Sequence, residues 1–515
     1  MKLVSWDGFI LEGLLETQQY YEDPVAQIRV WVELTAPSEQ RTRYSAFWDG
    51  NGTWRVRAAV TEPGLWKYSI SASDKSNTDF DGKSGSFEIE KSPQIIPLLQ
   101  RGRLRVGKNG SYLEHTDGTP FFYLADTAWN GILKSKPEDW DHYLSVRKEQ
   151  GFTAVQCVLT HWRSFAADAH GEVAYTGTDP IAINPRFFQR LDDKVAAVNR
   201  HGLVAALVLL WACTEKDPGH YLPEREAIKL ARYLVARYGA YQVIWMLGGD
   251  GDYRGEKAER WQRIGRAVFD GNDTGLVTMH PGGQHWVADE FRHESWFDFI
   301  SYQSGHGDNH EHLRWLVEKY PAQQWQKQPL RPIINQEPNY EAHMSYHSRE
   351  IFDAHKVRRA LYWSLLVSPT AGVTYGHHGV WPWTEEAGVP LDHPGTGESP
   401  MWHESLDSEG AMSVTHLHNF FSQLRWWSLR PAPELLKEQP GRQDPSRFIA
   451  VSRAEDKSFA VAYLPAGGTV SFESPDWQPS SCRWYDPRTG QWLDRMDFSA
   501  SLVAPDDQDW VLWMG

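Results

Sequence analysis

The chain has 515 residues, and 67 acidic residues against 52 lysines and arginines give it a formal net charge of −15. This balance argues against nucleic acid and anionic membranes as partners, because both attract clustered positive charge. A chain of this length exceeds what one hydrophobic core usually fills, so we expect one large domain with one or two small ones.

The N-terminal segment and the cysteine spacing both bear on where the protein is located and how it is stabilised. The N-terminal MKLVSWDGFILEGLL has no apolar h-region, and no run of about 20 apolar residues occurs, so we expect a cytoplasmic protein without a membrane span. Cys157, Cys213 and Cys482 are widely spaced and form no CxxC pair, which disfavours a disulfide framework and a zinc knuckle. We expect neither metal nor cofactor, and the sequence leaves the oligomeric state open, a homo-oligomer included.

Residues 1–92 have the pattern of an all-β segment. Alternating runs at 27–34, 53–58 and 64–70 are separated by turn sequences such as DGNG at 49–52. Short strands spaced in this way predict a β-sandwich accessory domain. The following stretch, 92–97, carries two prolines within six residues and predicts a linker.

From residue 100 to 424 apolar strands alternate with amphipathic helices. The predicted strands are 121–125, 153–159, 203–210, 243–247, 275–280, 297–303, 332–336 and 372–375. Eight strands interleaved with helices predict an α/β fold, a (β/α)₈ TIM barrel, rather than a doubly wound sheet. No GxGxxG follows a strand, so the usual dinucleotide signature is missing. Residues 425–515 return to short alternating runs and predict a small, sandwich-like C-terminal β-domain.

Two predicted barrel strands end close to carboxylates. The apolar run 243–247 is followed by two glycines and Asp250, and PIINQ at 332–336 is followed by Glu337. Because barrel enzymes place their chemistry at the C-terminal strand ends, we expect both side chains at one mouth. A lone carboxylate after a strand is more often a helix N-cap or a surface residue. The pair in this setting instead predicts a glycosidase, in which one carboxylic acid protonates the departing oxygen and one carboxylate attacks or activates water.

Other polar and aromatic residues follow the same predicted strand ends. Indoles stack on the CH faces of sugars, while amides and imidazoles hydrogen-bond their hydroxyls, so this mixture suits a carbohydrate substrate. The predicted substrate-binding residues are Asp126, Trp129, His161, Trp162, Trp211, Asp252, His280, Gln303, Tyr375, His378 and Trp381. Asp252 is also a rival to Asp250 for the role of the acid.

Several motifs stand out along the barrel segment: TPFFYLADTAW at 119–129, Gly151-Phe152, GGD at 248–250 and NQEP at 335–338. Together they resemble the apiosidase-like glycoside hydrolases, a group of bacterial barrel enzymes. GTWRVRAAVTEPGLWKY at 52–68 is similar to the small β-sandwich found before such barrels. The resemblance implies a glycosidase with Asp250 as acid/base and Glu337 as nucleophile, and related barrels favour retention of configuration. Related barrels commonly end strand four with Asn-Glu, whereas Gly249-Asp250 stands here.

Two other classes of function remain open from the sequence. A metal-dependent hydrolase could use Asp250, Asp252, His280 and the histidines at 306, 310 and 312, although no HExxH motif occurs. A non-catalytic carbohydrate-binding protein could use the same barrel merely to hold a glycan. The preferred hypothesis is a glycosidase that acts on a plant- or bacteria-derived glycan or glycoside.

Overall fold

The structure, a computed structural model, describes residues 1–90, 96–271, 274–473 and 477–515. Most of the predicted linker, residues 92–95, lies outside this part of the chain. The elements of the N-terminal part are β1 (Lys2–Trp6), β2 (Ile10–Glu16), α1 (Pro24–Gln27), β3 (Val30–Thr35), β4 (Arg41–Ser45), β5 (Phe47–Gly50), β6 (Thr53–Ala59), β7 (Gly64–Ala72) and β8 (Ser84–Ile89).

The N-terminal strands form two antiparallel sheets with orders β1-β2-β6-β5 and β4-β3-β7-β8. Their alternating sequences bury one face of each strand, as the burial of every second residue of β3 shows. Leu11, Leu15, Val32 and Trp54 belong to the apolar core that these strands share.

A short connection leads into the barrel. Its elements are α2 (Pro97–Gln100) and a three-stranded sheet of β9 (Leu104–Val106), β10 (Leu113–His115) and β11 (Pro120–Phe121). The barrel strands and a small hairpin are β12 (Tyr123–Thr127), β13 (Ala154–Val158), β14 (Tyr175–Thr176), β15 (Ala182–Ile183), β16 (Val204–Trp211), β17 (Val243–Gly251), β18 (Leu276–Pro281), β19 (Ile300–Tyr302), β20 (Ile333–Asn335) and β21 (Gly372–Gly376).

The helices of this part surround the strands. They are α3 (Gly131–Lys134), α4 (Pro137–Glu149), α5 (Pro185–Arg200), α6 (Pro218–Tyr221), α7 (Glu224–Tyr238), α8 (Glu256–Phe269), α9 (Ala288–Phe291), α10 (His310–Glu318), α11 (Tyr320–Gln324), α12 (Ala354–Leu366) and α13 (Glu409–Ser422). Local sequence explains several helix starts. The Asn184 side chain, for example, accepts the backbone N–H of Arg186 at the first turn of α5.

The barrel sheet is parallel and nearly closed, with the order β18-β17-β16-β13-β12-β21-β20-β19. At the seam between β18 and β19, Thr278 Oγ1 donates a hydrogen bond to the carbonyl of Phe299 at 2.7 Å. Every residue of β16 is buried, which is the reason for its unbroken apolar sequence. The predicted TIM barrel with flanking β-structure is therefore confirmed, except that β17 continues through the two glycines and Asp250 instead of ending before them.

After the barrel the chain returns to antiparallel strands. They are β22 (Leu429–Pro431), β23 (Ala450–Ala454), β24 (Ala460–Leu464), β25 (Thr469–Ser471), β26 (Ser481–Asp486), β27 (Gln491–Trp492), β28 (Met496–Asp497), β29 (Ser501–Val503) and β30 (Trp510–Met514). Short 3₁₀ turns occupy His403–Ser405, Trp426–Ser428, Pro433–Leu435, Pro440–Arg442 and Pro445–Arg447. Whether the three parts fold as separate domains with the boundaries 1–92, 100–424 and 425–515 stays a prediction.

Charged side chains join the flanking sheets to the barrel. Asp192 on α5 accepts hydrogen bonds from Arg57 of β6 and from Arg237 of α7, and Arg237 also donates to Asp49 of β5 at 2.9 Å. On the other side, Arg358 of α12 holds Asp509 with two hydrogen bonds of 2.7 Å. These groups are almost fully buried. Paired charges thus connect β5 and β6 on one side, and Asp509 next to β30 on the other, to the helices of the barrel.

Candidate active site

The end of strand β17 is irregular, and this irregularity positions Asp250. The register against β18 shifts between Met246 and Gly249 and again between Gly249 and Gly251, which is the signature of a β-bulge. Asp250 itself has φ = 50°, in the left-handed region that side-chain-bearing residues seldom adopt. Strain of this kind concentrates at functional sites, and here the Asp250 side chain lies at a cavity at the C-terminal end of the barrel.

The glycines before Asp250 are required by close packing. A Cβ atom on Gly249 would lie 2.6 Å from the Trp211 ring and 2.8 Å from Val208, while one on Gly248 would lie 2.5 Å from the Tyr253 hydroxyl. Only glycine therefore lets the strand run against these side chains.

Glu337 lies two residues beyond strand β20 and is held by two histidines. Its Oε2 accepts a hydrogen bond from His280 Nε2 at 3.0 Å, and its Oε1 accepts one from His306 Nε2 at 2.9 Å. The backbone carbonyl of Glu337 accepts the N–H of Gly305 at 2.9 Å. Both oxygens of this buried carboxylate thus point at nitrogen donors.

The two histidines donate to Glu337 through Nε2. A carboxylate can only accept, so Nε2 carries the proton in His280 and in His306. The Nδ1 atoms of both rings are buried and have no hydrogen-bond partner among the described residues.

Asp250 has a different set of neighbours. Arg163 Nη2 lies 3.5 Å from its Oδ2, and Arg163 is in turn held by Asp217 through Nη1 at 3.2 Å. The Cys213 thiol also lies beside the Asp250 carboxyl. The contact between Arg163 and Asp250 is therefore long, and Arg163 is shared with Asp217. Asp250 lacks the close pair of donors that Glu337 has.

These surroundings move the two carboxyl pKa values in opposite directions. Burial raises the pKa of Asp250 and the nearby charge of Glu337 raises it further, while Arg163 opposes both effects. Burial also acts to raise the pKa of Glu337, but the hydrogen bonds from His280 and His306 outweigh it and hold that pKa well below its usual range. The surroundings thus favour the protonated form of Asp250 and the ionised form of Glu337.

The cavity that contains both groups has a volume of about 450 Å³ and aromatic walls. Trp129, Trp211 and Trp162 follow one another, with ring centroids 5.2 and 4.4 Å apart. Of the predicted site residues, the cavity brings together Asp250, Glu337, Trp129, Trp162, Trp211, Gln303 and Trp381. His280 supports this group from behind, since it contacts Glu337 and packs against Trp129 at 5.2 Å.

Two predicted substrate-binding residues lie outside the cavity. Asp126 is fully buried between β12 and α4, where it accepts hydrogen bonds from Arg147 at 2.6 Å and Tyr143 at 2.7 Å. The Tyr375 hydroxyl donates to Glu341 at 2.5 Å, beneath the loop after β20. Neither side chain lines the cavity, because Asp126 is paired with Arg147 and Tyr143, and Tyr375 with Glu341, inside the protein.

Three more predicted residues do not line the cavity. His161 packs against Tyr175 at 4.5 Å, and burial lowers its pKa to about 4. His378 lies behind Trp381 and accepts the indole N–H at 3.0 Å. Asp252 is about a third exposed and binds Arg254 and Lys257 at 2.8 and 2.7 Å. These cations hold the pKa of Asp252 well below its usual range, so it is ill suited to donate a proton.

Sequence reasoning missed much of the cavity wall. The residues it did not propose for substrate binding are Arg163, Cys213, His306, His312, Tyr340, His343, Tyr346, His347, His393 and Thr396, with the glycines and Gln284 of the neighbouring loops. Arg163 directly follows the predicted Trp162, and Tyr340 lies three residues after Glu337, so the loops after β13 and β20 carried a usable signal. His393 and Thr396 belong to a long loop without periodicity.

The histidines considered for a metal site are separated. His306 binds Glu337, His312 lies in the cavity wall, and His310 is exposed near Asp444 at 3.7 Å. In the described ranges, no group of three or more His, Cys, Asp or Glu residues is arranged to hold a metal ion. Across those same ranges no helix is both long and apolar enough to cross a membrane.

The parallel eight-stranded barrel places two carboxyl groups at the ends of β17 and β20, an arrangement found in glycoside hydrolases. Comparison with known proteins agrees, since the model of the apiosidase-like catalytic domain matches residues 107–428. The chain belongs to the apiosidase-like family and is a glycoside hydrolase with a carbohydrate substrate. Of the three functional hypotheses, the glycosidase is therefore confirmed.

The flanking regions match other family models. A domain of unknown function, DUF5060, matches residues 3–73, and the Collagen_bind_2 model matches residues 431–514. Among curated proteins, none matches this chain.

Solved structures share the fold. One titled glycoside hydrolase is 22% identical with a TM-score of 0.71, over 82% of this chain and 98% of its own. A glycoside hydrolase family 5 protein from Bacteroides vulgatus is 22% identical with a TM-score of 0.69, over 82% and 95% of the two chains. A second Bacteroides vulgatus structure, titled provisionally as a glycoside hydrolase, covers 98% of both chains at 17% identity and a TM-score of 0.70.

Proposed function

We propose that this enzyme cleaves glycosidic bonds with retention of configuration, with Glu337 as the nucleophile and Asp250 as the acid/base. The observation that carries the proposal is the opposite surroundings of the two groups. Two imidazole donors favour the ionised form of Glu337, whereas burial and the charge of Glu337 favour the protonated form of Asp250. Retaining glycosidases need this pair of states at the start of the reaction.

The reaction then proceeds in two displacements. Asp250 gives its proton to the departing glycosidic oxygen while a carboxylate oxygen of Glu337 attacks the anomeric carbon, so that a glycosyl ester forms and the leaving group departs as an alcohol. The ester no longer carries a negative charge. Because that charge raised the pKa of Asp250, its loss lowers this pKa and lets Asp250 act as a base. A water molecule gives its proton to Asp250 and attacks the anomeric carbon, which releases the sugar and restores Glu337.

The cavity wall supports a sugar at the bond to be cleaved. A volume of about 450 Å³ lies in the range of small-ligand sites, and four tryptophans line it. Indole rings offer apolar faces to the CH groups of a sugar, while Gln303 offers an amide to its hydroxyls. We propose a plant- or bacteria-derived glycan or glycoside as the substrate, with apiose suggested by the family name alone.

The first test is Glu337→Ala against a panel of aryl glycosides of pentoses and hexoses, furanosides included. We expect turnover to fall by about three orders of magnitude or more, because a nucleophile is removed, with the unfolding temperature little changed. Glu311→Ala, which removes an exposed carboxylate of α10, is the control and should keep wild-type turnover. Activity of Glu337→Ala within a few-fold of wild type would overturn the assignment. Proton NMR of the first anomer released then distinguishes retention from inversion.

Location and assembly complete the proposal. The net charge of −15 supports an enzyme that does not bind nucleic acid. A cytoplasmic location and a homo-oligomeric state both stay predictions, and fractionation of cells and light scattering of the purified protein test them.

A further inference from the structure

A second cavity lies between the N-terminal sheets and the barrel. Its volume is about 620 Å³, larger than the active-site cavity, and the two share no lining residue. Strands β3, β4, β5 and β6 form one wall, and helix α7 with the end of α8 forms the other. It is therefore a cleft separate from the site of catalysis.

Positive charge is concentrated in this cleft. Six of its lining residues are Arg or Lys and only two, Glu226 and Asp270, are acidic, although the whole chain carries a net charge of −15. Three of the six cations are used within the protein. Arg57 pairs with Glu12 and Asp192, Arg225 with Asp179, and Lys229 with Asp23 and Glu226.

The other three cations, Arg29, Arg43 and Arg232, have no carboxylate within 4.0 Å in the part of the chain that the structure describes. Arg232 of α7 is partly buried, and among the described residues its side chain donates only to the backbone carbonyl of Ala267, at 2.9 and 2.6 Å. Its burial, followed by the nearby charge of Arg29, lowers the pKa of Arg232. Arg29 and Arg232 both line this cleft, so an anion bound there would be attracted by both charges.

An aromatic surface adjoins these cations. Arg29 directly precedes β3 and Trp31 lies two residues further on, so both project from the same face of the strand. The Trp31 ring is partly exposed, and the Arg43 guanidinium lies 4.2 Å from its centroid. Guanidinium groups pair with carboxylates and sulfates through forked hydrogen bonds, and an indole offers an apolar face to a sugar ring.

We infer that this cleft binds an anionic saccharide, with its carboxylate or sulfate group near Arg29 and Arg232 and its ring beside Trp31 and Arg43. The site would hold an acidic segment of a glycan at the junction of the sheets and the barrel, away from the bond that is cleaved. It therefore does not depend on which residue of the barrel acts as the nucleophile.

The test is isothermal titration of the full chain carrying Glu337→Gln, which prevents turnover. The probes are trigalacturonic acid, a sulfated trisaccharide and a neutral galactose trisaccharide. At least one anionic probe should bind, more weakly as salt rises, whereas the neutral probe should bind at least tenfold more weakly at this cleft. Binding of trigalacturonic acid alone identifies a carboxylate ligand, and binding of the sulfated trisaccharide alone identifies a sulfated ligand.

Variants locate the binding. Arg29→Ala with Arg232→Gln should weaken the anionic probe at least tenfold, while Arg254→Ala, which removes an exposed arginine outside the cleft, should not. Trp381→Ala in the active-site cavity should also leave this binding unchanged.

Two outcomes would overturn the inference. One is equal binding by the Arg29 and Arg232 double variant, provided that its unfolding temperature matches wild type. The other is the failure of both anionic probes to bind at millimolar concentration. Arg29→Ala should keep aryl glycoside turnover within twofold of wild type. A failure of saccharide binding at the cleft can therefore be distinguished from a failure of the proposed catalytic function.

Discussion

At the scale of single residues, the site depends on unequal hydrogen bonding to two chemically similar groups. Glu337 receives two imidazole donors at 3.0 and 2.9 Å, whereas the nearest cation to Asp250 is Arg163 at 3.5 Å. A carboxylate with close donors gains more from ionisation than one without, so the pKa values separate. The separation supports the proposed roles of Asp250 and Glu337 more directly than either residue's position in the sequence does.

Replacing Asp250 should have an effect that depends on the leaving group. We expect Asp250→Ala to slow hydrolysis of substrates with poor leaving groups by about 10²–10⁴-fold and of activated aryl glycosides much less, because an activated leaving group needs little proton donation. Asp252→Ala is the matched control, since it removes a neighbouring carboxylate that is paired with Arg254 and Lys257. The ratio of kcat/KM for the two substrate types measures the effect. The reverse pattern would identify Asp252 as the acid.

The pH profile should depend on Arg163. Activity requires Glu337 ionised and Asp250 protonated, so the alkaline limb follows the raised pKa of Asp250 and the acid limb follows the lowered pKa of Glu337. The Arg163 cation stabilises the Asp250 carboxylate, so Arg163→Gln should raise this pKa and move the alkaline limb of kcat/KM upward, by about one pH unit. Arg254→Gln should leave the limb in place. A shift to lower pH would contradict the role given to Arg163.

The sequence predicted both carboxyl groups but misplaced Asp126 and Tyr375, and the reason is the twofold period of a strand. On β12, Tyr123 and Thr127 face the barrel interior, where both contact Gln156, so Asp126 between them faces helix α4. On β21, Thr374 faces Gln156 at 3.4 Å and Tyr375 faces outward. Both strands are buried on both faces, so the sequence shows no polar alternation that tells which residues point inward, and a strand-end residue alone does not identify a ligand contact.

At the scale of elements, the eight barrel strands could be found because a strand buried on both faces must be continuously apolar. The register between neighbouring strands, by contrast, cannot be deduced from their amino-acid composition. The bulge in β17 that turns Asp250 toward the cavity arises from pairing with β18 and from packing of two glycines against aromatic rings. The small hairpin of β14 and β15 and the loop that carries His393 lack any period, so tertiary contacts rather than local sequence determine them.

A methyl group at Gly249 should disturb the site through this packing. The added Cβ would lie 2.6 Å from the Trp211 ring, so Gly249→Ala should displace that ring, lower the stability by about 1–3 kcal/mol and raise KM. Gly388→Ala is the control, because its Cβ would meet nothing within 4 Å. Melting temperature and KM for an aryl glycoside are the measurements. Unchanged values for both would show that β17 accommodates the methyl group and that the close packing is not required.

At the scale of the whole molecule, the N-terminal sheets stabilise the barrel from the side opposite to catalysis. Helix α7 places Arg237 near its C-terminal end, and strand β17 begins five residues after the helix ends, so this contact lies toward the N-terminal end of the strand. The residues found to line the active-site cavity all fall between 129 and 396. Within the described residues, the sheets before residue 90 therefore contribute nothing to that lining.

Removing residues 1–95 should consequently cost stability more than affinity. The deletion exposes apolar surface around Tyr233, which packs against Phe47 with centroids 6.4 Å apart, and it takes Asp49 and Arg57 away from Arg237 and Asp192. We expect a melting temperature lower by several degrees or more and a KM within about twofold of wild type for the protein that remains folded.

Asp192→Ala should reproduce part of this loss of stability in the full chain, because it leaves two buried guanidinium groups short of a carboxylate. Asp141→Ala, at an exposed position of α4, should not. A truncated barrel of unchanged stability that no longer binds substrate would instead show that a loop of the sheets reaches the mouth, with Trp48 the first residue to examine.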